Sequence, residues 1–405
     1  MPRLFWLSYD VLANWRDLPG TLSFVATALA RPAVAEAEPG LWRDAFHNGR
    51  VWPDTNGVHI NAHGGGVLFH EGTYYWYGEH RAALGPGGTV VSSPGVNCYS
   101  SDDLYNWHNE GIVLRTLKSD DASPITRGCN IERPKVIYNA RTRTFVMWFH
   151  LELKDRGYGA ALTGLATAKN PTGPFTFQRA LRPNAGCWPV DFPEADRIPL
   201  TAEEQKALGK ADFRNNLVAG MFLRRDFAGG QMARDMTLFV DDDGKAYHVA
   251  SAEENQTLNI HELDDTYTDF TGKFARVSPG GHNEAPAIVK HDGRYYMLAS
   301  GCTGWSPNAA RALVADSIWG PWTMDGNPCR GFNRLTRMGG RKTFGGQSTY
   351  ILPVQGQSDG YIAMFDVWRP DDLIISGYIW LPVRFDGDAM RIDWQESWDL
   401  SLFER

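Results

Sequence analysis

Ala287-Ile288-Val289-Lys290-His291-Asp292-Gly293-Arg294-Tyr295-Tyr296-Met297-Leu298 reads as two apolar strands joined at a tight turn. The Asp-Gly pair decides it, because glycine readily takes the positive φ that a two-residue hairpin needs. The same layout returns at Val67 to Tyr77 around Glu71-Gly72, and at Leu238 to Val249 around Asp243-Gly244. Val136 to Tyr138 with Phe145 to Phe149, and Thr349 to Val354 with Gly360 to Phe365, give a fourth and a fifth copy.

A sequel follows in three units. Leu165 to Ala168 leads to Gly173-Pro174-Phe175, and Ala312 to Ala315 leads to Gly320-Pro321-Trp322. Asn97 to Ser101 leads to Leu104-Tyr105-Asn106-Trp107. Each reads as a third strand, a turn, and a fourth strand begun by an aromatic. A four-stranded unit repeated five times is the pattern of an all-β, five-bladed β-propeller. The blades are predicted at 59–116, 131–185, 234–275, 284–330 and 344–395. Residues 186–233 do not repeat and read as an insertion, with a capped helix predicted over Thr201 to Lys210. Residues 1–45 form an N-terminal extension, and 46–405 the propeller domain. Within the extension, Thr21 to Ala30 followed by Ala33-Val34-Ala35-Glu36-Ala37 looks like a signal segment, which places the protein outside the cytoplasm, secreted or periplasmic.

The 405 residues are 43% hydrophobic and 21% charged, an ordinary globular balance. The net charge of −7 and the lack of a basic stripe argue against nucleic acid as a partner. No apolar run reaches 18 residues, so no membrane helix is expected. The five cysteines include no C-x-x-C pair, which excludes a zinc ribbon; Cys302 and Cys329 are close enough in sequence to pair. Most of the fifteen Trp, fifteen Tyr and twenty Phe are expected in a large core, with some of the Trp to spare for a cleft that packs flat sugar faces.

Leading residues of innermost propeller strands face one end of a central channel. Blade one opens Asn61-Ala62-His63-Gly64-Gly65-Gly66, and blade two Asn130-Ile131-Glu132-Arg133-Pro134. Blade three opens Arg234-Asp235-Met236, blade four His282-Asn283-Glu284-Ala285-Pro286, and blade five Phe344-Gly345-Gly346-Gln347-Ser348-Thr349. Glu132, Asp235, Glu284 and Gln347 therefore converge on one funnel. Any one of them alone reads as a cap or an ion pair. Four together in a partly dry pocket raise the pKa of at least one carboxyl, and paired carboxyls are the equipment of glycosidic cleavage.

With those motifs in view the chain resembles glycoside hydrolase family 43. Asp235 with Leu238-Phe239 and Asp242 to Tyr247 is similar to that family's pKa-modulating Asp. Glu284-Ala285-Pro286 with Asp292 to Tyr296 is similar to its general acid. The Asp-Pro that supplies the usual base is replaced by the blade-one glycines. Ala62 to Gly66, Ile131 to Val136, Ser300 to Trp305 and Gly346 to Thr349 look like the exo-β-1,3-galactanase branch. The resemblance implies an inverting enzyme that trims β-1,3-linked galactose from galactan or arabinogalactan, with an oligo- or polysaccharide as its partner. It implies Glu284 as acid, Asp235 as tuner, and Gln347 positioning water with an imidic-acid tautomer as the route for its proton. Glu132 binds sugar near the 2-hydroxyl; the alternative makes Glu132 the base and leaves Gln347 to orient water. Glu79, Tyr158, Asn255, Thr303 and Trp305 are further candidate sugar contacts. No cofactor is required; His63 and His282 are candidates for a structural cation in the channel. An α-L-arabinofuranosidase, a β-galactofuranosidase and a non-catalytic sugar-binding propeller are the competing readings.

Overall fold

In the computed structural model, residues 42–83, 91–118, 122–208 and 220–404 are described. The signal-like segment and the end of the predicted helix at 209–210 lie outside them. Five antiparallel sheets follow one another along the chain. Blade one is His63–His70, Thr73–Ala83, Val91–Ser101 and His108–Arg115. Blade two is Asn130–Asn139, Thr144–Glu152, Leu162–Ala168 and Thr176–Leu181. Blade three is Met236–Val240, Ala246–Ala252, Thr257–Leu263 and Phe270–Val277, and blade four Asn283–His291, Arg294–Gly301, Arg311–Ala315 and Thr323–Gly326. Blade five is Gln347–Pro353, Tyr361–Val367, Gly377–Asp386 and Ala389–Asp393.

All five predicted hairpins form. One boundary differs. Cys329–Arg330, expected in blade four, pairs in parallel with Ala389–Asp393 and makes blade five five-stranded. Pro328 brings no amide hydrogen to a blade-four ladder, and the chain crosses to its neighbour there. Cys302 and Cys329 are then in different places, and both are free thiols.

Strands alternate their side chains between two faces, so each blade presents apolar rows to both neighbours. The apolar clusters accordingly lie between blades. Val96, Cys98, Phe145 and Met147 join blades one and two; Val146, Trp148, Leu238 and Ala250 join two and three; Val249, Ile260, Met297 and Leu313 join three and four. The ring closes between blades five and one. There Trp76, Trp107, Trp380, Tyr378 and Trp398 pack with Phe46 and Trp52 from the N-terminal side. A short ribbon pairs Phe46–His47 with Ser397–Trp398 across this seam. Trp380 is fully buried among the rings of Phe46, Trp52, Trp76 and Trp107, with Trp76 at 4.9 Å and Trp52 at 5.2 Å between ring centroids. Trp380→Ala leaves a large void, so it is expected to lower unfolding free energy by about 3–5 kcal/mol, measured by urea denaturation.

The insertion holds the predicted helix as Ala202–Leu208 and a second, Met221–Asp226, that its short apolar run did not announce. Thr201 and Glu204 exchange capping hydrogen bonds at the first helix start, with Glu204 N donating to Thr201 Oγ1 at 3.2 Å and Thr201 N to Glu204 Oε2 at 2.8 Å. Phe192 and Leu223 pack on Phe274 of blade three, so the insertion shares the propeller's core.

Candidate active site

Four innermost strands slip register at one end of the channel. The slips fall between His63 and Gly66, Glu132 and Lys135, Glu284 and Ala287, and Ser348 and Tyr350. Such bulges bend a strand and re-aim the side chains beside it. Gly64, Arg133 and Ala285, each directly after an opening residue, have φ of 59°, 53° and 55°. The opening residues also face polar partners across the hairpin: His63 pairs Glu79, Glu132 pairs His150, Glu284 pairs Ser300, and Gln347 pairs Asp366.

The four predicted residues do meet. Arg133 Nη2 lies 2.9 Å from Asp235 Oδ2 and donates to Gln347 Oε1 at 2.6 Å. Gln347 Nε2 donates to Glu284 Oε1 at 3.0 Å and to Ser300 Oγ at 3.1 Å. Glu132 and Asp235 bring carboxylate oxygens within 4.8 Å of one another.

The two glutamates have opposite electrostatics. Burial pushes the Glu284 carboxyl up to about 8, and the Asp235 charge adds to the shift. Removing a carboxylate from water disfavours its charged form, and a like charge does the same. Glu284 thus holds its proton at neutral pH. Burial also opposes the charge of Glu132, but the hydrogen bond and charge of His150, then Arg81 and Tyr158, overcome it and hold the group at about 2. Tyr158 Oη donates to Glu132 Oε1 at 2.7 Å, and His150 Nδ1 lies 3.1 Å from Oε2. His150 Nε2 lies 3.0 Å from Glu152 Oε1. Between two carboxylates the imidazole is pushed up to about 9 despite its burial. Glu152 is in turn fixed by the amides of Ala160 and Ala161 at 2.9 and 3.1 Å. If Glu284 supplies the proton, kcat/KM is expected to fall through an apparent pKa near 8, because the acid is lost as pH rises through that value. A pH–rate profile on a slow substrate checks it.

The other candidates divide. Glu79 is buried against Arg81 and accepts from Arg133 N at 2.9 Å. Asn255 reaches Glu284 Oε2 at 3.5 Å. Tyr158 is 50% exposed beyond its bond to Glu132. Trp305 is 45% exposed and sets its ring edge-on to Trp368 at 5.5 Å. Thr303 turns its hydroxyl to its own loop, donating to Ser306 O and accepting from Asn308. His63 stacks on Tyr378, 5.4 Å between centroids, with Nδ1 3.0 Å from its hydroxyl, and burial holds it well below the usual imidazole range. His282 Nδ1 meets Gln256 at 3.3 Å.

Among the described residues Glu132, His150 and Asp235 are the group whose donor atoms cluster as a metal's ligands do. Here His150 Nε2 faces Glu152 at 3.0 Å, and Arg133 lies 2.9 Å from Asp235.

Attention to acids and amides at the strand openings passed over Arg133, and His150, Glu152 and Trp368 lie outside those openings. The signal for His150 and Glu152 was available. They stand at the end of blade two's second strand, where Glu79 stands in blade one.

The model of Glycosyl hydrolases family 43 matches residues 219–350, which span Asp235 and Glu284. A solved GH43 β-1,3-galactosidase in complex with galactodeoxynojirimycin is 51% identical, over 88% of this chain and 100% of that one, with a TM-score of 0.80. The chain belongs to glycoside hydrolase family 43. A second family 43 structure, the exo-β-1,3-galactanase of Phanerochaete chrysosporium with β-1,3-galactotriose, is 31% identical over 88% of this chain and 68% of that one, TM-score 0.68. A curated relative, the β-D-galactofuranosidase xynD of Aspergillus niger, is 29% identical over 96 residues, 23% of this chain and 27% of that protein. The chain thus spans about a quarter of that relative's length. Among the described residues, no helix of this family 43 chain is long and apolar enough to cross a membrane.

Proposed function

We propose that this family 43 glycoside hydrolase removes galactose, exo-wise and with inversion, from the ends of β-1,3-linked galactan. The observation that carries the reading is a Glu284 carboxyl held protonated beside Asp235, in a chain that aligns with a β-1,3-galactosidase along that enzyme's whole length. Glu284 protonates the glycosidic oxygen. Asp235 raises the acid's pKa and is itself aimed by Arg133. Glu132, kept ionised by His150, takes the proton of the attacking water or grips a sugar hydroxyl beside it. Glu79, Asn255 and Tyr158 complete the terminal-sugar site. Trp305 offers a flat face to the sugar beyond the cleaved bond. The catalytic unit is the propeller over 46–405 with its insertion at 186–233. A polymeric substrate does not enter a cell intact, so the enzyme acts outside the cytoplasm, in keeping with the signal-like sequence at 21–37.

The test is incubation of the purified protein with β-1,3-galactan, an aryl α-L-arabinofuranoside and an aryl β-D-galactofuranoside, followed by proton NMR. First-formed α-galactose from the galactan is the expected product. The short match to a galactofuranosidase favours a second reading, and galactofuranose release with an inert galactan would put that reading in its place. Binding of galactan without any release would reduce the protein to a sugar-binding propeller.

A further inference from the structure

We infer that Arg133 and Trp368 are positioning residues that lock the Gln347 amide with its nitrogen toward Glu284, making Gln347 a fixed hydrogen-bond donor to the acid. The inference rests on the proposed role of Glu284 as acid.

The amide's two ends are distinguishable by their partners. Oε1 accepts from Arg133 Nη2 at 2.6 Å and from Trp368 Nε1 at 2.8 Å. Guanidinium and indole N–H groups donate and never accept. The flipped amide would set its NH₂ against both, so only one orientation is satisfied. That orientation points Nε2 at Glu284 Oε1, 3.0 Å away. Oε2 receives the Asn255 Nδ2–H at the longer distance of 3.5 Å, so the closer amide contact is the one from Gln347.

Arg133 is itself held from several sides. Nη1 donates to Ser348 O at 3.1 Å, Nη2 lies 2.9 Å from Asp235, and its backbone N donates to Glu79. Its guanidinium lies 5.5 Å from the Trp368 ring centroid. The positive φ of Arg133 at the blade-two bulge turns this side chain toward blades three and five.

The same geometry limits proton traffic. In the reaction the Glu284 proton moves to the glycosidic oxygen as the C1–O bond breaks. The water oxygen bonds C1 and releases a proton. An imidic-acid form of Gln347 carries a hydrogen on Oε1, where both lone pairs already take N–H bonds. The water's proton then goes to an ionised carboxylate, and Glu132 is the one at hand.

Three variants test this, with kcat and KM on the galactan and a 13C NMR titration of Glu284 in ligand-free protein. Trp368→Phe keeps a ring over Arg133 and deletes one of the two donors to Oε1, so the amide is held less firmly toward Glu284. Its kcat is expected to fall roughly tenfold with KM little changed, and Glu284 titrates at higher pH. Arg133→Lys keeps the charge but loses the fork, and is expected to change both readouts in the same direction. The groups around Glu284 that set this titration are Asp235, Arg133 and Cys302, with Gln347 as hydrogen-bond partner. Gln347→Glu replaces the donor with a true base and is expected to lose roughly a hundredfold in kcat. The inference is overturned if Gln347→Glu matches or exceeds the wild type, or if Trp368→Phe leaves both kcat and the Glu284 titration unmoved. The titration needs no substrate, so an error in the substrate assignment would leave it readable.

Discussion

Glu284→Gln is expected to lower kcat on β-1,3-galactan by roughly a thousandfold or more, the range general-acid catalysis supplies. An aryl galactoside with a good leaving group departs without a proton, so its rate should fall far less. That contrast separates loss of the acid from damage to the site. Stability should move the other way. The folded site raises the Glu284 pKa from 4.5 to about 8, so the wild type's fold is progressively disfavoured as pH rises between those values. A neutral amide has no such dependence. The variant's Tm should therefore equal or exceed that of the wild type, with a gap that widens from pH 5 to 8. Equal loss on galactan and aryl galactoside would remove Glu284 from the role of acid.

Glu132→Gln is expected to be costly twice. Activity should fall about 100- to 1000-fold, because a carboxylate held strongly ionised in the funnel is gone. Stability should fall by about 3 kcal/mol, because Arg81 and His150 lose a buried counter-charge. The His150 titration should drop from about 9 toward its ordinary 6.5, visible by proton NMR. The pH window follows from the signs. Glu132, depressed from 4.5, contributes stability that is present above 4.5 and lost as pH falls toward 2. His150, raised from 6.5, contributes stability present below 6.5 and lost as pH rises through 9. The difference between wild type and variant should thus be largest from about pH 4.5 to 6.5. Activity within threefold of wild type would exclude Glu132 from the chemistry.

The fold was legible because hairpins are local. Asp292-Gly293 and Asp243-Gly244 state their turn in two residues, and the flanking alternation states the strands. The convergence of Glu132, Asp235, Glu284 and Gln347 was legible for the same reason, since a repeat turns sequence position into spatial position. What joins them was not. Arg133 spans from blade two to Asp235 of blade three and Gln347 of blade five, and nothing local in Glu132-Arg133-Pro134 names those partners. His150 and Glu152 sit in Phe145 to Glu152, a run apolar enough to read as buried strand. Their charges are compensated by each other, by Glu132 on His150 and by the Ala160 and Ala161 amides on Glu152. The helix at Met221–Asp226 is too short for periodicity to declare itself. The Cys329–Arg330 strand owes its place to a neighbour more than fifty residues later in the chain.

The blade-one glycines bear on how this branch can change. A Cβ on Gly64, whose φ is 59°, would run into the Glu79 carboxylate; one on Gly65 would meet the Tyr77 carbonyl, and one on Gly66 the Lys135 side chain. Each obstacle belongs to the charge network or to the strand beside it, so no single substitution in this trio installs an acid at the mouth of the channel. Glu79 must first move, and Glu79 is tied to Arg81 and to the backbone of Arg133. An acid at this mouth is reachable only by several simultaneous changes, and directed evolution should find new activities through Glu132 and its partners before it installs one there.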